Sequence, residues 1–190
     1  MFGLAFINDN SKKESGFTLF ELLVVIVMIA ILSGIIFANP NSWQKNLALE
    51  RSAQKIGQDI SQSRALSMKG ESGACLSGSP NGYGLYIDKT NPKYFIYMNC
   101  DSDSSKSYNS SFDKKFEGAD IPLENNIVIC GLKAGGLEQS GLSIFFEPPD
   151  PIVFVNNISS ATSSVIICIE GDASKQKTIE INKVGNINLK

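Results

Sequence analysis

The sequence predicts an α+β protein: one long N-terminal helix, apolar and then amphipathic, packed on a domain of antiparallel strands. Three observations carry this. Residues 22–38, LLVVIVMIAILSGIIFA, hold no charge. The next segment repeats its apolar residues at helical spacing. From Gly73 onward helix signals vanish and aromatic or β-branched runs alternate with turn residues.

The first 16 residues, MFGLAFINDNSKKESG, are mostly polar after residue 7 and place Lys12 and Lys13 just before the apolar run, as a positive-inside signal requires. From Phe17 to Ala38 the run is broken only by Thr18, Glu21, Ser33 and Gly34. As a helix it would span roughly 33 Å, close to the hydrocarbon thickness of a bilayer. Residues 17–38 are therefore expected to be transmembrane. A secretory signal would place an A-x-A-like cleavage site after the run. Ala38-Asn39-Pro40-Asn41 is a poor match, so the candidate processing point lies before it, between Gly16 and Phe17.

Gly34 and Pro40 soften or kink the helix. An amphipathic continuation follows over residues 39–70, with Leu49, Ala53, Ile56 and Ile60 on one stripe. Lys45, Glu50, Lys55, Gln58 and Asp59 are read as its outer face, and Gly70 as its stop. Residues 71–190 are expected to form the β-rich domain. GYGLYI (82–87) and KYFIYM (93–98) read as a hairpin. Further strands are expected at 126–130, 142–147, 163–170 and 177–189, with turns at Gly171-Asp172 and Gly185-Asn186. Residues 101–119 and 148–160 are read as variable loops.

Composition excludes much chemistry. With no histidine, His-based triads cannot form and most transition-metal sites are ruled out. Phosphate-cradling glycine loops are absent. Asp101 with Asp103, or Glu170 with Asp172, lack a calcium-loop pattern and read as solvated turn carboxylates. No catalytic residue, metal or cofactor is assigned, and the chain is read as not an enzyme. Of 17 basic residues only Arg51 and Arg64 are arginine, so a nucleic-acid partner is not expected. Cys75, Cys100, Cys130 and Cys168 form no CxxC pair, which suits two structural disulfides in an oxidising compartment; the alternative is four buried thiols. Four cysteines permit three pairings. The expected one is Cys75 with Cys100, which flank the first hairpin, and Cys130 with Cys168, which end two apolar strands.

The stretch KKESG-FTLFELLVVIVMIAIL resembles the N-terminal methylation motif of type IV prepilins and type II secretion pseudopilins. It has a small residue at the cut (Gly16), an aromatic first mature residue (Phe17), Thr18-Leu19, and Glu21 five residues past the cut. The resemblance implies a pilin-like fold and a leader, residues 1–16, removed by a prepilin peptidase that also N-methylates Phe17. Independently, a carboxylate at the edge of an apolar helix is costly unless paired. Glu21 is thus expected to pair with the new Phe17 amine of a neighbouring subunit and set the register of assembly. The bland alternative is a glutamate that snorkels from a simple anchor.

More loosely, SQSRALSMKG, GYGLYI and the closing SVIICIEG…KTIEINKVGNI are similar to the minor pseudopilin H (GspH/FimT) group, although Pro148-Pro149-Asp150-Pro151 stands where that group tends to have a Pro-Gly turn. This resemblance implies a minor pseudopilin of a type II secretion filament, anchored in the inner membrane with its C-terminal domain periplasmic or extracellular. Its partners would be prepilin peptidase, other pilin or pseudopilin subunits, and lipid before assembly. A minor pilin of a type IV pilus or DNA-uptake filament is the alternative on the same scaffold. A membrane-anchored binding module that never polymerises is disfavoured by the cleavage motif.

Overall fold

The computed structural model describes residues 17–37, 40–70, 75, 79–100, 105–149, 152–159 and 161–190. The chain divides into two compact units, Met1–Pro40 and Asn41–Lys190. Instead of one long helix there are two, α1 (Leu19–Phe37) and α2 (Pro40–Lys69). Proline explains where the second begins: it has no N–H to offer an upstream carbonyl, disfavours helix in the residue before it, and is tolerated in a first turn.

In α2 the expected stripe is the buried one. Leu49, Ala53, Ile56 and Ile60 are at most 5% exposed. Gly70, with φ of +62°, ends the helix in the left-handed region that glycine enters without a Cβ penalty. Asp59, however, is not on the solvent face. It is buried, and the Tyr94 hydroxyl donates to it at 2.6 Å while Lys55 lies 3.5 Å away. Burial pushes the Tyr94 phenol above its ordinary value, and the hydrogen bond to Asp59 adds to this. Helical spacing put Asp59 beside polar neighbours; only a tyrosine from a distant strand makes its burial tolerable.

The strands form two antiparallel sheets. In the first, β3 (Lys114–Lys115), β2 (Lys93–Asn99), β1 (Gly82–Asp88), β7 (Gly141–Glu147), β8 (Ile152–Val155) and β9 (Ile158–Ser159) lie in that order, with β4 (Ile121–Pro122) also on β2. The second runs β12 (Ile187–Leu189), β11 (Asp172–Ile181), β10 (Ser163–Ile169), β5 (Ile127–Ala134) and β6 (Leu137–Glu138). One core joins α2 to the inward residues of both sheets, among them Leu85, Ile96, Ile144, Val155, Val165 and Ile179. Lys177 reaches Glu50 at 2.8 Å and Arg51 reaches Glu124 at 3.1 Å, tying α2 to a strand of the second sheet and to the segment that leads into residue 127.

Both expected loops turn out differently. Residues 148–160 contain β8 and β9, because Val153 and Val155 alternate inward into the core after the proline cluster. Residues 105–113 are a strap across the outer face of the first sheet. Tyr108 packs its ring 4.9 Å from both Tyr86 and Phe95 and 5.4 Å from Tyr97. Lys106 pairs with Glu147 at 2.7 Å and lies over the Phe145 and Phe154 rings. Asp113 fastens the base, its carboxylate accepting the amides of Cys100 and Asn109 at 2.8 Å each. The strap's abundant serines concealed one aromatic anchor and one clamped lysine.

Gly84 is where this layer is tightest. A Cβ there would lie 2.6 Å from the Tyr97 ring and 2.7 Å from the Ile144 carbonyl oxygen. Gly84→Ala is expected to destabilise the protein by about 1–3 kcal/mol, the ordinary range for overpacking. Thermal unfolding of the full chain, with the midpoint lowered by several degrees, checks this; an unchanged midpoint would show that Tyr97 yields freely.

Candidate functional site

The N-terminus of α1 is built from Phe17, Thr18 and Glu21. Thr18 stands immediately before the helix, and its hydroxyl oxygen accepts the Glu21 amide at 3.2 Å. Its carbonyl accepts the Leu22 amide at 3.2 Å. Thr18-Leu19-Phe20-Glu21 thus has the spacing of a capping box, with an acidic residue in the first turn where the helix dipole favours it. Sequence reasoning passed over Thr18 as a cap, although threonine followed three residues later by glutamate was there to be read.

Among the described residues the Glu21 carboxylate has no ion pair or hydrogen-bond donor. Gly16, the other side of the expected cut, lies outside the described residues. Phe17 is 81% exposed, and apolar side chains are exposed all around α1, from Leu19 and Phe20 to Ile31 and Leu32. A helix that is apolar on every side is stable only where lipid or other apolar surfaces cover it. Among the described residues no helix is long and apolar enough to cross a membrane. With 19 residues, α1 reaches about 28 Å, slightly under a bilayer core.

The four cysteines form two bonds in the second unit. Cys75 is joined to Cys100 with Cα atoms 5.6 Å apart, and Cys130 to Cys168 at 5.9 Å. A bulge makes the second geometry possible. Ile166 pairs with Gly131 but Ile167 pairs with Ile129, leaving Cys130 as the extra residue of β5. The bulge re-aims Cys130 toward Cys168 on the face away from the core.

Residues 11–37 match the prokaryotic N-terminal methylation motif. The exposed apolar helix, its threonine cap and its partnerless glutamate all fall within that match. The motif marks the N-terminus as prepilin-type, the kind carried by type IV pilin-like and pseudopilin subunits. No curated protein and no solved structure matches the chain.

Proposed function

We propose that this protein is a minor pseudopilin of a type II secretion filament, a structural subunit and not an enzyme. A prepilin peptidase cuts it after Gly16 and methylates Phe17, and it assembles through its N-terminal helix. The observation that carries the reading is the methylation motif over residues 11–37, within which an apolar helix stands exposed on all sides with Glu21 at its start. Before assembly the run from Phe17 to Ala38 sits in the inner membrane, and the disulfide-bonded domain lies outside the cytoplasm. After assembly neighbouring apolar helices cover α1. Glu21 then meets the Phe17 amine of another subunit, which removes the cost of a carboxylate among apolar side chains. Two disulfides suit an oxidising compartment.

Processing is tested by intact mass and N-terminal sequencing of membrane-extracted protein. A mature chain of 190 − 16 = 174 residues beginning at methylated Phe17 is expected. An uncut chain, or one cut near Ala38, would refute the reading. Gly16→Leu should leave the chain at full length. Deleting the gene separates the filament types: lost export of folded proteins with intact surface pili supports the secretion role, and lost pili or DNA uptake with normal export refutes it.

A further inference from the structure

Trp43, the chain's one tryptophan, is 68% exposed at the start of the second unit. Leu47, one turn further along α2 and so on the same face, is 37% exposed. The opposite side of the helix is core, with Leu49, Ser52 and Ile56 buried. From Arg51 onward the outward face turns polar, through Gln54, Gln58 and Ser61, all exposed. This apolar patch is therefore confined to the first two turns of α2. Among the described residues the indole N–H of Trp43 has no hydrogen-bond partner.

Covalent geometry bounds where the patch can be. Two residues lead from Ala38, the end of the apolar run, to Pro40, where α2 begins, and they span at most roughly 7 Å. Three helical residues then carry the chain to Trp43, a rise of about 4.5 Å. Trp43 thus stands within roughly 12 Å of the end of the run, whatever the path between. The headgroup layer on each side of a bilayer's hydrocarbon is about 5–8 Å deep. A patch on so short a tether has the lipid surface within reach, and its residue types suit that surface. Tryptophan gathers at this level because its ring is apolar while its N–H needs a polar partner. Two lysines are close by. Lys175, near the start of β11, donates to the Ser42 hydroxyl at 3.2 Å, with Asp172 3.9 Å away, and Lys45 is exposed. Long lysine side chains extend to headgroup phosphates while their stems cover apolar surface.

We propose that before assembly the first two turns of α2 lie in the headgroup layer of the bilayer, with Trp43 and Leu47 anchoring the folded domain to the lipid surface. The inference rests on the reading that the run from Phe17 to Ala38 sits in the membrane. It goes past that reading, because a run in lipid would equally well hold a domain that stands clear of the surface.

The single tryptophan makes the unaltered chain its own probe. The full chain is reconstituted in phosphatidylcholine vesicles, and flotation of protein with the vesicles reads insertion of the apolar run separately. Trp43 is expected to emit at shorter wavelength than tryptophan in water. Lipids brominated near the headgroup should quench it more than lipids brominated near the chain ends. In the variant Trp43→Phe, Gln58→Trp the reporter sits on the same outward face about 22 Å further along the helix, and neither lipid should quench it. Protein that floats while Trp43 emits as in water, unquenched, overturns the proposal and leaves the membrane anchor standing. Strongest quenching from the chain ends, or equal quenching at residue 58, overturns it too. So does a shift that vanishes on dilution in lipid, which marks a second copy as the cover. Protein that does not float overturns the inference together with the membrane reading.

Discussion

Replacing Glu21 by valine is expected to leave cleavage and membrane insertion largely intact while removing the protein from filaments. Valine makes the apolar run more apolar, so the cost of entering lipid falls. The Thr18 cap also survives, because its hydroxyl accepts the backbone amide of residue 21 and not the side chain. On the proposed reading, what is lost is the carboxylate that would pair with the Phe17 amine of a neighbour. Truncating one partner of a buried, hydrogen-bonded charge pair costs about 2–5 kcal/mol, so incorporation should drop at least about tenfold. Glu21→Asp, one methylene shorter, should recover part of the loss. Quantifying the variant in sheared filaments against the same amount of processed protein in the membrane reads this out. Undiminished incorporation would show that Glu21 does not set the register.

The second large effect concerns the bond between Cys130 and Cys168. It closes a loop with a sequence separation of 38. In the chain-entropy model this stabilises the fold by roughly 4 kcal/mol, a substantial part of the total for one domain. The bond between Cys75 and Cys100, at a separation of 25, is worth roughly 3.5 kcal/mol in the same model. The double variant Cys130→Ala, Cys168→Ala should therefore unfold at markedly lower denaturant concentration than the oxidised parent and match it more closely once the parent is reduced. Denaturant titration of the full chain with and without reductant measures both. A loss under about 1 kcal/mol would mean that the strand ladder alone holds the bulge and that the bond contributes little.

The prepilin-type N-terminal motif was legible because its determinants are local. Helical spacing, an uncharged run, a carboxylate at its edge and the residues of the expected cut all lie within about 20 positions of one another. The buried stripe of α2, its glycine stop and the hairpin of β1 with β2 follow from the same short-range rules, which depend only on backbone geometry and the period of the side chains. The division of the helix at Pro40 was half legible: proline marked the place, but one helix was still expected.

Tertiary structure decided what distant segments do to each other. Asp59 looks solvated from its helix and becomes buried because Tyr94 approaches from a strand 35 positions away. The serine-rich strap reads as a loop, and it is fastened only because sheet pairing brings Tyr86, Phe95, Tyr97 and Phe145 to one face beneath Tyr108. A row through Lys133, Ser164, Glu180 and Asn188 exists only once four strands are in register, and a one-residue slip would send part of it into the core. By itself the sequence determined the prepilin-type N-terminus and the α+β class, because helix and strand preferences and a linear processing motif are read along the chain. The order of the strands, the bulge at Cys130, the strap and that row were set by non-local packing, where the free energy of burial depends on partners that no local pattern specifies.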